Sequence, residues 1–323
     1  MKLFAPDYYS AFACLMGECR HTCCAGWEID IDEETLQRYR AMNGEMGRML
    51  NEQIDEADGV ACFRLTEEER CPFLQKDGLC RLIIECGEES LCQICADHPR
   101  FRNFFSDRIE IGLGMCCEAA ARLILTWEAP VSLTVIDEDD TEGTLTRSED
   151  TRLCLRDALT ERIQKRRRPL DRRMESIESY SELHKMNRST EEWAQFLLSL
   201  EHLEDSWCDR LRSLSECEGA PIDSRWDVPF EQLMVYLLYR HLGSAQEYDE
   251  VQGLFDFCLL MWRIVREMFA RAPRQDMDEL VEICRLYSSE IEYSDENIAA
   301  ILAEMGALNP KKSSWDDYFT YQF

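Results

Sequence analysis

Apolar side chains recur at helical spacing from about residue 151 to 305. Leu153, Leu155, Leu159 and Ile163 lead to a basic run at 165–168 and then Pro169. That run sits at a helix C-terminus, where cations are favoured, and reads as a solvated helix end. Ser189-x-x-Glu192 is a capping box ahead of Trp193, Phe196, Leu197, Leu200 and Leu203, and Trp207, Leu211 and Leu214 continue the stripe. Positions 230–242 are apolar nearly all round, which predicts a buried helix ending at Gly243. Positions 254–268 predict another, Leu280, Ile283, Cys284 and Tyr287 mark a third, and 297–305, closed by Gly306, the last. Short polar connections between such helices predict a bundle.

The first half lacks this rhythm. Residues 1–30 are aromatic and cysteine-rich without period and read as loop and short turns. Asp30 or Asp32 caps a predicted helix at 33–40 with acids in its first turn. Leu36, Tyr39 and 46–50 give it an apolar stripe that Gly44 and Gly47 interrupt. Asp58-Gly59 marks a turn before a short strand at 60–65. Asp77-Gly78 marks another, making a small knuckle that presents Cys71 and Cys80. Residues 82–86 form a helix or strand ended by Gly87. Residues 91–96 fit a helical turn with Cys92 and Cys95 on one side, stopped before Pro99. Residues 101–111 read as extended, with a turn near Asp107. A helix at 118–125 places Cys117 at its N-terminus, where the dipole favours thiolate. The acidic run at 137–143 holds no core residue and reads as solvated linker. The predicted chain is mainly α: an irregular cysteine-rich metal-binding region at 1–128, an acidic linker at 129–150, and an α-helical domain at 151–323.

Charge narrows the partners. The 323 residues carry a formal net charge of −28, which disfavours nucleic acid and attracts a lysine-bearing protein, although solubility alone explains so acidic a surface. No window approaches 18 uninterrupted apolar residues, so no membrane span is expected. The opening residues lack the apolar core of a secretory signal, which points to a cytoplasmic chain with reduced thiols.

Cysteine distribution is the chief chemical signal. Twelve of the 17 cysteines fall between positions 14 and 117. In a reducing compartment such clustering argues for a soft metal rather than disulfides, and vicinal Cys23-Cys24 and Cys116-Cys117 bridge themselves only with strain. Only Cys92-x2-Cys95 has the tight spacing of a zinc half-site. The other cysteines are dispersed, which suits a cavity built from several loops and an iron–sulfur cluster. Spacing alone leaves iron–sulfur and zinc both open. Cys154, Cys208, Cys217, Cys258 and Cys284 read as ordinary residues.

The residues Pro6-x-Tyr8, Phe12-x-Cys14 and Cys19-x3-Cys23-Cys24-x-Gly26-Trp27 resemble the opening of the flagellin lysine-N-methylase family. The likeness continues through Cys71-Pro72-Phe73-Leu74, Leu79-Cys80-Arg81, Gly87-Glu88-Glu89, Cys95-x2-His98-Pro99-Arg100 and Glu110-x6-Cys117-x4-Arg122-Leu123. It covers roughly residues 6–125, and the family in turn resembles, more loosely, the small CxxCxxCC zinc- or iron-chelating proteins. The resemblance implies an iron–sulfur protein that methylates surface lysines of flagellin with S-adenosylmethionine as donor. Its matching cysteines are Cys14, Cys19, Cys23, Cys24, Cys71, Cys80, Cys95 and Cys117. Of these, Cys19, Cys23, Cys24, Cys71, Cys80, Cys95 and Cys117 are the expected metal ligands. Cys62, Cys86, Cys92 and Cys116 stand outside the pattern, and Glu118 replaces the proline usual after the last cysteine.

No glycine-rich loop follows a strand, so no Rossmann-type donor site is visible. The expectation is a [4Fe-4S] centre with one open iron position that holds the donor's amino and carboxylate groups. Arg100 and Arg122 are candidates to clamp that carboxylate, or else ordinary ion-pair partners. Trp27 is a candidate wall of the centre, and His98 reads as a turn residue or a fourth ligand. The aromatic tail from Trp315 to Phe323 is expected to pack on the body. The alternative from another class is a non-catalytic zinc- or iron-binding interaction module on a helical scaffold.

Overall fold

A computed structural model describes residues 1–306, apart from positions 27, 58, 187, 246 and 247. The chain forms two compact units, Ala13–Arg100 and Met1–Phe12 with Phe101–Phe323. The expected packing of the tail lies outside the described residues.

Strand β1 (Lys2–Pro6) belongs to the larger unit. In the smaller unit, β2 (Asp30–Ile31) passes through Asp32 into α1 (Glu33–Ala41). The Asp32 carboxylate accepts the Thr35 N–H at 2.9 Å, the cap its position predicts. α2 (Gly44–Gln53) starts at Gly44 and runs on through Gly47, where a Cβ would collide with the Met42 carbonyl. Gly47 therefore permits a close backbone approach rather than interrupting the helix. β3 (Ile54–Ala57) and β4 (Val60–Phe63) complete an antiparallel sheet of order β2-β4-β3. α3 (Arg81–Cys86) stops at Gly87, whose φ of 88° suits glycine, and α4 (Gln93–Asp97) follows. The core between these elements is small: Ile29, Ile31, Tyr39, Leu50, Phe63, Phe73 and Leu82, with Cys71 and Cys92 among its buried members. Tyr39 stacks on Phe63 with centroids 6.0 Å apart, and Phe63 meets Phe73 edge-on at 5.0 Å.

The larger unit contains β5 (Arg100–Phe104), β6 (Arg108–Leu113), α5 (Glu118–Thr126) and β7 (Leu133–Glu138). Its sheet has the order β5-β6-β1-β7, with β1 parallel to β6 and antiparallel to β7. Residues 2–6, expected as loop, are thus an internal strand. Their partners are about a hundred residues away, so no local pattern announces them. Residues 133–138, in the stretch read as linker, form an edge strand whose side chains are largely exposed. Acidic residues suit such an edge because they discourage further pairing.

The helices follow as α6 (Arg147–Ile163), α7 (Leu170–Glu178), α8 (Thr190–Leu197), α9 (Asp205–Glu216) and α10 (Asp227–Leu242). Then come α11 (Tyr248–Arg271), α12 (Met277–Tyr287) and α13 (Asp295–Glu304). Capping boxes at Thr146/Glu149 and Ser189/Glu192 start α6 and α8. α10 is buried nearly all round, as its composition predicts, and packs against α5, α6 and α11. The fold is mainly α, with two small sheets. Among the described residues no helix is long and apolar enough to cross a membrane.

Three buried carboxylates, each paired, tie elements of the larger unit together. Glu231 on α10, fully buried, receives Arg166 at 2.7 Å and also Arg173. Arg166 therefore leaves the solvated helix end expected for 165–168. Glu110 on β6 receives Arg156 of α6. Glu292 closes a π-helical turn, Ser288–Glu292, and is fully buried. It accepts hydrogen bonds from Tyr236 and Ser288 at 2.5 Å and Tyr287 at 3.3 Å. His241 lies 2.9 Å and Arg240 3.5 Å from the same carboxylate.

Candidate metal centre

The backbone of the smaller unit gathers cysteines that are far apart in sequence. The Cys71 N–H donates to the Cys24 carbonyl at 2.8 Å, and the neighbouring Ala25 and Arg70 form a β-bridge. The predicted knuckle then turns at Asp77-Gly78. Gln75 donates to the Leu79 carbonyl at 2.9 Å, and Leu74 bridges Cys80. Gly78, at φ 80°, abuts Gly17 so closely that a Cβ would lie 3.2 Å from the Gly17 Cα. This contact seats the turn that carries Cys19 against the knuckle.

α4 brings the next two cysteines. Cys92 is its N-cap residue. Asp32, already the cap of α1, uses its other oxygen to accept the Gln93 N–H at 2.8 Å. One carboxylate thus fixes two helix starts. Tyr39 donates to the Ser90 carbonyl at 2.7 Å, and Arg38 to that of Glu89 at 2.7 Å, which locks the approach to Cys92.

The result is a group of five thiols: Cys24, Cys71, Cys80, Cys92 and Cys95. Cys71 lies within electrostatic range of Cys24, Cys80 and Cys92, and Cys95 within range of Cys24 and Cys71. Two pairs are hydrogen-bonded. A hydrogen bond from Cys23 lowers the Cys24 thiol to about 7 against the cost of burial. A hydrogen bond from Cys95 lowers Cys92, while Cys95 itself is pushed far up by that bond and by burial. Burial pushes Cys71 up to about 12 and also raises Cys80. Buried and half-buried thiols beside aromatic rings are soft donors with restricted water access, the kind that zinc and iron–sulfur clusters take. Among the described residues, however, no group of three or more His, Cys, Asp or Glu side chains stands ready to hold a metal ion. The donor chemistry fits a soft metal, and the thiols would have to draw together around it.

The remaining candidates are placed as follows. Cys19 is half-buried and ends a one-turn 3₁₀ helix, its N–H on the Met16 carbonyl at 3.2 Å. Cys14 is exposed, and its sulfur accepts the Met16 N–H at 3.3 Å. Cys117 belongs to the larger unit, where it caps α5 through its backbone. Beside it, burial pushes the Cys116 thiol up to about 12. Arg100 donates to the Ala96 carbonyl at 3.2 Å. Burial lowers His98 to about 4, with Arg100 adding to the effect. Arg122 is exposed and paired with Asp278. Trp27 lies outside the described residues. Cys92 joins the group although the family likeness omits it. Its signal was the single Cys-x2-Cys pair in the chain. Nothing in the sequence announced the second role of Asp32.

Comparison with known proteins adds a second line. The model of the FliB lysine N-methylase C-terminal domain matches residues 106–313. A lysine-N-methylase of Salmonella typhimurium is 24% identical over 131 residues, which cover 37% of this chain and 31% of that protein. The chain therefore spans about a third of that relative's length. The flagellar biosynthetic protein FliU of Salmonella muenchen is 24% identical over 131 residues, 37% of this chain and 75% of that protein. No solved structure matches significantly.

Proposed function

The chain belongs to the FliB lysine N-methylase C-terminal domain family, and on that premise we propose that it is a protein-lysine N-methyltransferase acting on flagellin in the cytoplasm. S-adenosylmethionine would be its methyl donor. The gathering of Cys24, Cys71, Cys80, Cys92 and Cys95 carries the second part of the proposal, that the smaller unit holds a metal centre, read as a [4Fe-4S] cluster. When bound, such a cluster would supply redox or Lewis-acid chemistry that side chains lack. Cys19, Cys23 and Cys117 are further candidates by family likeness, and Arg100 and Arg122 are proposed contacts of the donor carboxylate.

The chain's own residues have defined parts in this reading. The five thiols hold the group. Tyr39 and Phe73, both 1% exposed, make the dry wall behind it. Asp32 sets the position of α4 and with it Cys92 and Cys95. Metal binding would also stabilise the unit, because ligands gathered only in the folded chain add their binding free energy to folding. A non-catalytic zinc module is the second reading, favoured by the tight Cys92-x2-Cys95 pair.

The test is protein purified without oxygen and assayed for iron, zinc and acid-labile sulfide, then incubated with S-adenosylmethionine and flagellin. About four iron and four sulfide per chain, the content of one such cluster, with methyl-lysine found by mass spectrometry, is the expected result. Zinc without sulfide removes the iron–sulfur reading. Fully loaded protein that leaves flagellin lysines unmodified removes the enzyme reading.

A further inference from the structure

The larger unit has a half-open cavity of about 300 Å³ between α6, α10 and the strands β1 and β7. Tyr8, Tyr236 and Tyr239 line it, with Val131, Leu133 and Val235 as further apolar surface. Two of the tyrosine hydroxyls are committed elsewhere: Tyr236 donates to Glu292, and Tyr239 to the Ile111 carbonyl at 3.1 Å. Their rings are what remain for an occupant.

The charged lining is short of positive charge. Arg156, the lining cation, is 4% exposed and already committed, to Glu110 at 3.1 Å and Asp157 at 3.2 Å. Glu161, on the same face of α6, meets Lys165 at 3.0 Å. Three carboxylates against two cations leave a negative charge.

One acceptor of the lining also lacks a donor. Gln232, 1% exposed, spends its amide N–H groups on the Trp127 and Ala129 carbonyls at 2.6 and 2.8 Å. Its Oε1 has no partner. Unpaired buried acceptors cost free energy that a ligand with donors recovers. An anion would find no uncommitted cation here. An ammonium offers three donors and no acceptor, and it is attracted to tyrosine rings.

We propose that this cavity takes the end of a lysine side chain: the aliphatic stem against the tyrosine, valine and leucine surface, the ammonium toward the Asp157 and Glu161 carboxylates and the orphan Gln232 Oε1. This rests on the reading of the protein as a lysine methylase and names its acceptor subsite. The volume lies at the small end of ligand pockets, which suits an alkylammonium better than a nucleoside. Organic cation chemistry is shared by the sulfonium donor, so the test separates the two.

The experiment is calorimetric titration of the full chain with N-acetyl-lysine methylamide, N-acetyl-norleucine methylamide and S-adenosylmethionine in parallel. The variants are Thr160→Trp, which fills the cavity from α6, and Asp157→Asn, which frees the Arg156 charge; Glu161→Gln replaces either if it melts well below the parent. The lysine probe is expected to bind and the norleucine probe not. Each variant should weaken lysine binding about fivefold or more, the scale of one partly exposed charge interaction. No lysine binding to the parent, equal binding of norleucine, or variants that weaken only S-adenosylmethionine would overturn the proposal. Because binding is read without turnover, lysine binding in a protein that methylates nothing sinks the enzyme reading alone. Unimpaired methylation by Thr160→Trp sinks this one alone.

Discussion

Replacing Glu292 by glutamine tests the electrostatics of the larger unit most directly. The substitution keeps the shape and removes one charge. Glu292 is fully buried and faces Arg240, whose side chain is 10% exposed. The Nη1 of Arg240 is already without a hydrogen-bond partner. Without the carboxylate, the guanidinium would be a buried charge left with the Glu292 carbonyl, at 3.3 Å, the Phe101 and Tyr293 rings, and the more distant charge of Asp295. Breaking a buried pair from one side costs about 3–5 kcal/mol. The glutamine amide must also face His241 or Tyr287 where a carboxylate accepted. Against a total stability of about 5–15 kcal/mol, this is a large fraction, and at about 2–4 °C per kcal/mol it lowers Tm by roughly 10 °C. Urea unfolding followed by tryptophan fluorescence is the assay, since Trp127, Trp193, Trp207, Trp226 and Trp262 all lie in this unit. Adding Arg240→Met should recover part of the loss, because the orphaned charge goes with it. A loss under about 1 kcal/mol for E292Q, or no recovery in the double variant, would refute the assignment of Glu292 and Arg240 as a coupled buried pair.

The same cluster sets an acid response. Burial works against the charged form of Glu292, yet Arg240 and the bonds from His241 and Ser288 hold it at about 2, below the usual 4.5. Burial holds His241 below its usual 6.5. In both cases the unfolded chain takes the proton first, so stability is present above these ordinary values and falls as pH drops through 6.5 and then 4.5. Tm measured from pH 7.5 to 4 should decline in that order, and His241→Gln should flatten the upper part; identical profiles for parent and variant would contradict it. Asp32→Ala removes the cap of α1 and the tie to Gln93 together, so the smaller unit should lose about 1–2 kcal/mol, read by hydrogen exchange in α1 and α4. Cys92→Ser should lower bound metal in protein purified without oxygen, whereas Cys62→Ser, outside the group of five, should leave it unchanged; the reverse pattern would exclude the grouping.

Local signals were legible where the cause is local. The Asp32 cap, the Ser189 and Glu192 box, the glycine stop at Gly87 and the all-round apolar character of α10 each act within a few residues, and each appears where the sequence places it. Pairing over long separations was not legible. β1 finds β6 and β7 across about a hundred residues. Arg166 looks like one of four solvated cations until α10 supplies Glu231. Of the candidate ligands, Cys71 and Cys80 were readable as a knuckle. That Cys24 and Cys92 share their neighbourhood depends on backbone contacts with no sequence signature.

The internal place of β1 also separates ancestry from autonomy. The segment that the family model matches begins at residue 106, so it includes β6 and β7 and lacks both β1, which joins them, and β5, which flanks β6. Expressed alone, that segment would present bare strand edges where the intact chain has a continuous ladder, and such edges recruit other chains. On the ribosome the order is fixed as well. β1 emerges first and has no partner until residues 108–138 follow, by which time the whole of Ala13–Arg100 has been made. The smaller unit is therefore free to close while the sheet of the larger unit is still waiting for three of its four strands.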